Sequence, residues 1–521
     1  MSTAKQEAIR IKRSYLSRLV GQAYREGATA EAIDAYLLLQ GIKDPAAIRS
    51  SVESRKTLPF LGEQELKNLG GQDTFRALFA IAPEVAPMVE PRQAAEPMSL
   101  AGAHLIVRHW LGNKYDLSAF DAMLSTVAAL RLDTADPLWM MFVTGSGFTK
   151  TETVIAAEGA GAIITSTIAS EGALLSASSK KEREKNCTGG LLRRLGSRGV
   201  LVIKDFTTIL SMSREVRGMV IAAFREIHDG KWERNVGVSG GNSPLWVGRI
   251  AVIAACTTAW DAAREVVSSM GDRFVIFRLD STTGRLEAGR QSMANIGHEG
   301  EMRAALKDAV AGVIAGMDPS PIVLTAEEVE QILHAANLTT RCRTAVETDF
   351  RGEVTDAHAP EAPTRFAKEL AQIVRGACAI GMERTKAMSL AIRCARDSMP
   401  PMRLAILKAI QTLGRASPSE VREAINKPWH TVKRQLDALH LLGVLSEEVE
   451  EPDIPEEGQP AAGKRTWFYE LASGVDPAVL FPSPDLSPTL GKGDEERESD
   501  VTASVDKHGD RKVLADAQIP F

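Results

Sequence analysis

The first residues that could carry chemistry form a glycine-rich loop, Thr144-Gly-Ser-Gly-Phe-Thr-Lys-Thr151. The loop follows the apolar segment PLWMMFV and precedes a helical pattern, which is the context of a phosphate-binding loop. Glycines let backbone amides converge on phosphate oxygens, and the start of the helix adds partial positive charge. The predicted nucleotide contacts are Gly145, Ser146, Gly147, Phe148, Thr149, Lys150 and Thr151, with Lys150 on the β- and γ-phosphates of ATP and Thr151 on Mg²⁺. An ordinary strand-to-helix turn is the alternative, because Thr144 and Thr149 stand where the phosphate-loop pattern has glycine.

A second candidate is the carboxylate that follows the apolar segment Gly199-Val-Leu-Val-Ile-Lys-Asp-Phe206. Open α/β sheets bind ligands at the carboxyl ends of their strands, so Asp205 is predicted to hold Mg²⁺ or polarise an attacking water. A buried strand that ends in a charged residue without function is the alternative. The order of the two segments, with strand-like AIITST between them, makes the pair more specific than either alone.

Over roughly residues 135–470 the chain resembles the AAA+ core of the minichromosome maintenance helicases in the order and spacing of its segments. SEGALLSASSKKEREKNCTGGLLRRLGSRGVLVIKDF is similar to that family's helix insert and magnesium strand. REIHDGKWERNVGVSGGNSPLWVGRIAVIAACTT is similar to a helix, the presensor hairpin and the sensor 1 strand. SSMGDRFVIFRLD resembles the arginine-finger box, and APTRFAKELAQIVRGACAI resembles the sensor 2 helix.

This resemblance implies three further catalytic residues. Thr257 stands where the family usually has Asn and would orient the attacking water. Arg273 would be the arginine finger, which acts between subunits because it must neutralise charge on a neighbour's γ-phosphate. Arg365, from the helical lid, would complete the charge cage around the phosphates. For each arginine, a surface or salt-bridged role is the alternative.

Two departures from the family bear on activity. The magnesium strand ends in Lys204-Asp205 where the family has Asp-Glu, so one carboxylate must do two tasks; hydrolysis would be slow or use another acid such as Glu171 or Glu226. The presensor turn reads Ser239-Gly-Gly-Asn-Ser243 without the usual basic tip. The remaining candidates for DNA contact there are Lys231 and Arg234, together with Lys180, Lys181, Arg183 and Lys185 of the insert.

Residues 401–472 read as three helices and a β-wing, and resemble the winged helix that the same family carries at this end. Ser417 and Glu420 form a capping box with Pro418 at the first helical position. The third helix is expected to bury Val432, Leu436, Leu439 and Leu442. Its predicted DNA contacts are His430, Lys433 and Arg434, joined by Lys464 and Arg465 of the wing. A purely structural or protein-binding winged helix is the alternative.

The last three residues, Ile-Pro-Phe521, resemble the tip of bacterial single-stranded-DNA-binding proteins. They predict docking to a replication protein, with the Phe ring buried and the terminal carboxylate held by an arginine. An inert tail end is the alternative.

The composition indicates a protein of several domains. The 521 residues carry a net charge of −5, are 44% hydrophobic, and hold five cysteines without a CxxC pair, which favours a reducing cytoplasm over a disulfide scaffold. The sequence predicts neither a signal peptide nor a membrane helix. We expect an α/β AAA+ P-loop parallel-sheet core with a helical lid that is almost free of strands. The predicted divisions are a helical N-terminal domain (1–90), linker (91–99), core (100–281), lid (282–400), winged helix (401–472) and disordered tail (473–521).

Together these features predict an ATP-binding AAA+ motor that acts on DNA, a ring-forming helicase or translocase, most simply hexameric, of a phage or mobile-element replication system. The alternative is a DNA-binding regulator or loader whose nucleotide site hardly hydrolyses ATP. A metabolic kinase with an appended winged helix accounts less well for Arg273 and the long helical lid.

Overall fold

The structure is a computed structural model of the chain. It describes residues 14–24, 28–40, 42–54, 59, 61, 63–69, 95–132, 136–145, 150–176, 190–234, 244–263, 273–280, 283–451 and 465–481. The chain divides into two compact units, Met1–Ala94 and Ala95–Phe521.

The first unit is helical in its described part. Its helices are α1 (14–24), α2 (Ala30–Leu39), α3 (Pro45–Glu53) and α4 (Glu63–Asn68). Thr29 and Asp44 accept hydrogen bonds from backbone amides at the starts of α2 and α3, which satisfies donors that a helix start leaves open. Leu19, Ile33 and Leu37 are fully buried, so this unit has a hydrophobic core of its own.

The second unit is built on a five-stranded parallel sheet with the strand order β2-β3-β6-β1-β7. Its strands are β1 (Trp139–Val143), β2 (Ile163–Thr165), β3 (Arg198–Ile203), β6 (Arg249–Cys256) and β7 (Val275–Arg278). They lie in the five segments that the sequence predicts as strands, WMMFV, AIITST, VLVIKDF, RIAVIAAC and RFVIFRL. The prediction of an α/β unit with a parallel sheet is therefore confirmed.

Helices cover both faces of this sheet. Before β7 they are α5 (Leu100–Leu111), α6 (Leu117–Arg131), α7 (Lys150–Ile155), α8 (Glu171–Leu174), α9 (Leu191–Leu195), α10 (Thr207–Leu210), α11 (Arg214–His228) and α12 (Ala259–Ala262). After β7 they are α13 (Arg285–Ala294), α14 (Glu299–Ala315), α15 (Ala326–Arg343), α16 (Thr364–Ala379), α17 (Arg384–Asp397), α18 (Pro401–Leu413), α19 (Pro418–Ile425) and α20 (Trp429–Leu441).

The two faces of the sheet belong to separate cores because strand side chains alternate. Met140 and Phe142 face a large core that extends through the helices after β7 as far as Tyr469. Trp139 and Met141 face a second core with α11. The helices after β7 and the three-helix segment 401–441 thus share one continuous core with the sheet.

The outer edge of β7 is covered by the end of α17. The amide of Ile276 donates to Ser398 Oγ at 2.9 Å, and the amide of Arg278 donates to Asp397 Oδ2 at 2.9 Å. Arg393 stacks on the Phe277 ring, with its guanidinium carbon 4.3 Å from the ring centre. Side chains therefore satisfy donors that an edge strand would otherwise leave open.

Among the described residues of this unit, three further pairs of strands are antiparallel. β4 (Lys231–Glu233) pairs with β5 (Leu245–Val247), as the resemblance implies, and β10 (Leu445–Glu450) pairs with β11 (Thr466–Leu471) as the predicted wing. A short hairpin of β8 (Val346–Thr348) and β9 (Val354–Ala357) lies within the segment that is expected to be a lid almost free of strands. Its strands are short and mostly polar, so they lack the apolar signal of the central strands.

Among the described residues, no helix has both the length and the apolar character needed to cross a bilayer.

Candidate functional site

Three predicted site residues meet at the carboxyl edge of the parallel sheet. Lys150 begins α7 after β1, Asp205 follows β3 by two residues, and Thr257 directly follows β6. The parallel register aligns the ends of these neighbouring strands. This is the edge at which open α/β sheets bind ligands.

The Lys150 amine lies over the ends of the two central strands. It donates to the carbonyl oxygens of Cys256 at 3.1 Å and Thr144 at 3.4 Å, and the residue is only 9% exposed. Burial lowers the pKa of this amine, while the nearby Cys256 and Asp205 act in the opposite direction. A partly desolvated ammonium at a strand end, within the field of a carboxylate, is suited to bind an anion with a divalent cation.

Asp205 is positioned by its own turn. Its Oδ1 accepts the Thr207 amide at 3.1 Å, and the amide of Phe206 donates to the Ala255 carbonyl at 2.8 Å. These bonds attach the turn after β3 to β6, so the carboxylate stays at the edge of the sheet and exposed to solvent. Lys204, the first residue after β3, is partly exposed.

Thr257 lies at the expected edge, where it supports the start of α12. Its Oγ1 accepts the Ala259 amide at 3.4 Å, and its own amide donates to Thr207 Oγ1 at 3.4 Å. The second bond connects Thr257 to the same turn as Asp205. The water-orienting role implied for this hydroxyl stays a prediction.

The loop itself is described only at its ends. Gly145 follows β1, and Thr151 lies partly exposed in the first turn of α7. The predicted contacts Ser146, Gly147, Phe148 and Thr149 lie outside the described residues.

A cleft of about 470 Å³ lies near the end of β1 and the described part of α7. It is formed by the turn between α5 and α6 and by the segment that runs from the end of β7 into α13. The amide of Leu279 donates to the carbonyl of Val143, the last residue of β1, at 3.1 Å. The hydroxyl of Tyr115, which lines the cleft, lies 2.7 Å from the Thr153 hydroxyl on α7. Sequence reasoning missed this cleft, because its two walls are distant in the chain and carry no recognisable motif.

Arg273 lies at the opposite, amino-terminal edge of the sheet. It precedes β7, whose first residue pairs with Met140 near the start of β1. β1 spans about 16 Å between the two edges. The Arg273 guanidinium is 14% exposed and lies 3.4 Å from Asp229, so in the single chain it forms an ion pair and does not reach Lys150.

Arg365 also lies toward this amino-terminal edge. It pairs with Glu361 and lies 4.0 Å from Glu369, which itself lies 3.6 Å from His228. The His228 ring packs edge-on against Trp139, the first residue of β1, with ring centres 5.1 Å apart. The α16 helix therefore brings Arg365 to the same side of the sheet as Arg273, and its implied place in the charge cage stays a prediction.

The third helix of the winged-helix segment, α20, differs from the prediction at Lys433. Its amine pairs with Asp437 and donates to the Tyr469 hydroxyl at 2.9 Å, and its side chain is 17% exposed. Burial and the acids Glu447 and Asp437 raise the pKa of Tyr469. Lys433 faces the wing rather than solvent. The prediction missed this because helical spacing alone does not say which face of the helix the wing covers.

The other two predicted DNA contacts on α20 differ in how far they are covered. His430 is exposed. Arg434 donates to the Arg351 carbonyl at 3.2 Å, and its guanidinium lies against Gly352, so the β8–β9 hairpin covers part of this helix. The prediction did not include this hairpin, because residues 282–400 were expected to be almost entirely helical.

The wing is acidic. Arg465 pairs with Glu451 at 3.0 Å, and Arg415 pairs with Glu448 and Glu450 of β10 at 2.8 and 2.6 Å. Residues 401–472 hold nine Lys and Arg against eleven Asp and Glu. Lys464 lies outside the described residues. This charge balance is unfavourable for a DNA backbone contact.

The basic candidates near the β4–β5 hairpin also differ from one another. Lys231 is exposed at the start of β4. Arg234 pairs with Glu171 at 2.7 Å and donates to the Leu175 carbonyl at 3.2 Å, so Glu171 stands in an ion pair as well. Glu226 is exposed on α11. Lys180, Lys181 and the Ile-Pro-Phe end lie outside the described residues.

No protein-family model matches the chain, and no curated protein gives a significant match.

Proposed function

We propose that the protein is a P-loop ATPase of the AAA+ class that acts on DNA. The observation that carries the proposal is the carboxyl edge of the parallel sheet, where Lys150 lies over the ends of β1 and β6 and within the field of Asp205. The strand order supports it, because β1 lies inside the sheet with β6 between it and β3. Anion-binding loops favour such a position, with a helix start directed at the ligand.

In this proposal the triphosphate of ATP binds along residues 145–151 and the base enters the cleft beside Tyr115. A cleft of about 470 Å³ is large enough for a small ligand group of this kind. The Thr151 hydroxyl and the Asp205 carboxylate are oxygen donors that suit Mg²⁺, which keeps water and phosphate oxygens as its other ligands. Bound Mg²⁺ would neutralise charge on the phosphates. Lys150 would leave its two carbonyl partners for phosphate oxygens.

The site needs a second copy of the chain. Arg273 and Arg365 lie toward the other edge of the sheet, so they can reach only a nucleotide bound by a neighbour. A surface that carries the loop on one side and the arginines on the other generates a head-to-tail contact, which closes into a ring if its rotation allows. We propose such a ring, with a helicase or translocase activity on DNA.

A regulator or loader that hardly hydrolyses ATP is the second candidate. Lys204 in place of a second carboxylate favours it, since Asp205 alone would hold Mg²⁺ and polarise water. The acidic wing and the covered face of α20 also remove candidate DNA contacts. Exposed Lys231 and His430 remain as proposed contacts.

The test is ATP hydrolysis with and without DNA, measured for the natural chain and for Lys150→Ala. We expect DNA to stimulate the natural chain, and Lys150→Ala to lower the rate by about 100-fold or more because a phosphate charge loses its partner. Lys386→Ala, at an exposed position on α17 outside the cleft, is the matched lysine control. Tight ATP binding with equal, negligible hydrolysis by both proteins would favour the regulator.

A further inference from the structure

A chain of polar side chains connects the two arginines at the amino-terminal edge. Asp229 Oδ1 lies 3.4 Å from Arg273 and 3.6 Å from His228 Nδ1. On the other side of the imidazole, Nε2 lies 3.6 Å from Glu369 Oε1, which lies 4.0 Å from Arg365. The order is thus arginine, carboxylate, histidine, carboxylate, arginine.

His228 is the buried centre of this arrangement. Its side chain is 3% exposed and that of Glu369 is 2% exposed, whereas Asp229 is 59% exposed. Both carboxylates lie slightly beyond hydrogen-bond distance from the imidazole, so each is within reach of a small rotation. The ring packs against Trp139. His228 is the last residue of α11, and two residues separate it from β4.

An arginine that acts on a neighbouring copy must first leave the carboxylate that it contacts in its own chain, and this separation costs free energy. Of the two carboxylates near Arg365, Glu361 is 29% exposed and Glu369 is 2% exposed. The more buried carboxylate is costly when Arg365 turns away, because the interior cannot solvate the charge. The two ring nitrogens of His228 each face one of these carboxylates, Asp229 or Glu369, at 3.6 Å. A small rotation brings the ring into contact with either acid while the guanidinium groups contact phosphate.

We propose that His228 is a positioning residue that takes over Asp229 and Glu369 when Arg273 and Arg365 turn together toward the triphosphate bound by the adjacent copy. This role rests on the proposed function, since it requires the shared site. His228 contacts neither the nucleotide nor the reacting atoms. Its effect is on the geometry and availability of the two arginines.

The experiment uses full-length mixed assemblies. Acceptor copies carry Arg273→Ala and keep the phosphate loop; donor copies carry Lys150→Ala and keep the arginines. Each alone should be inactive, and an equal mixture should recover roughly one quarter of the natural rate, because random pairing places a donor beside an acceptor at that fraction of interfaces. Failure to recover activity with these parent copies would reject the shared site itself.

The donor is then given a second substitution. His228→Phe should lower the recovered kcat by about 10-fold and leave KM for ATP unchanged, because the nucleotide is bound by the acceptor. His334→Gln, an exposed histidine on α15, is the matched control and should recover as the parent donor does. Assembly size and Tm of each donor separate a positioning effect from misfolding.

His228→Gln, which keeps polar atoms but lacks the ring that faces both carboxylates, is the second variant if the Phe variant does not fold. It should lower the recovered kcat by about 3-fold or more at unchanged KM. Recovery equal to the parent donor with a folded His228 variant, or a rise in KM without loss of kcat, would overturn the proposal.

Discussion

At the residue scale, the chemistry depends on a few side chains at the carboxyl edge of the sheet. Lys150 is buried enough for its pKa to fall below the ordinary value, yet its amine reaches only two backbone carbonyls among the described residues. Asp205 is the carboxylate that acts on it electrostatically. The proposed nucleotide site depends on this pair, whereas an ordinary glycine-rich turn would need neither side chain.

Asp205→Asn tests the single-carboxylate site. We expect ATP hydrolysis to fall by about 100-fold, because the side chain is proposed both to hold Mg²⁺ and to polarise water. Glu226→Gln on α11 removes an exposed carboxylate and should change the rate by less than about 2-fold. Steady-state hydrolysis over a Mg²⁺ titration measures both variants. Retained activity in Asp205→Asn would mean that another acid does this work.

At the element scale, the helices after β7 position the arginines by packing closely on the sheet. α16 crosses α6 at Gly376, where a methyl group would overlap the Ser125 carbonyl oxygen. Only glycine permits this approach, so the placement of Arg365 at the start of α16 depends on it.

Gly376→Ala should therefore destabilise the protein by about 1–3 kcal/mol, because the overlap forces the two helices apart. Gly289→Ala is the matched control: this glycine is exposed on α13 with open space around it. Alanine there should stabilise by about 0.5–1 kcal/mol through helix propensity. Urea unfolding of the three proteins measures the difference. Equal stability of both variants would contradict the close packing.

The start of α15 gives a pH-dependent prediction. Glu328 closes the capping box with Thr325 and pairs with Arg384 at 2.5 Å, and chiefly this pairing lowers its pKa from 4.5 to about 2. Since the folded pKa is depressed, the stabilisation is present above pH 4.5 and is lost as pH falls toward 2. Glu328→Gln should cost about 1 kcal/mol at pH 7 and progressively less below pH 4.5.

Tm values of the natural chain and of Glu328→Gln between pH 7 and 3 test this. Glu330→Gln on the same helix, whose carboxylate is 69% exposed, should change Tm little at any of these pH values. A deficit for Glu328→Gln that stays constant down to pH 3 would show that the ion pair does not determine it.

Some elements could be predicted from the sequence and others could not. The five central strands were predictable because a parallel sheet buried on both faces requires apolar, β-branched segments. Ser417 and Glu420 form the capping box that their spacing predicts. The β8–β9 hairpin was missed because its strands are short and partly exposed.

The same limits apply to the site. The positions of residues that follow strands, such as Lys150 and Asp205, can be predicted from the order of segments along the chain. The sides taken by Lys433 and Arg365 depend on which distant element covers the helix, and no local pattern contains that information. The cleft beside Tyr115 has walls more than 150 residues apart in the chain and could not be predicted for the same reason.

At the scale of the whole molecule, the proposed chemistry lies in one compact unit. Lys150, Asp205, Arg273, Arg365 and the cleft all belong to Ala95–Phe521, while Met1–Ala94 has its own helical core. A chain of residues 95–521 should therefore bind ATP within about 3-fold of the affinity of the full chain, because the proposed contacts remain. Titration with a fluorescent ATP analogue measures both. Loss of binding in a truncated chain that keeps its circular dichroism would contradict this.

The central claim is that two copies enclose one triphosphate, and electron microscopy of the full chain with Mg²⁺, a slowly hydrolysed ATP analogue and forked DNA tests it most directly. The account predicts a closed ring with the phosphates about 3 Å from the Lys150 amine and the base in the cleft beside Tyr115. It also predicts that Arg273 and Arg365 of the adjacent copy point at the γ-phosphate. A monomer with nucleotide bound away from Lys150, or a ring in which both arginines stay on Asp229 and Glu361 of their own chain, would contradict it.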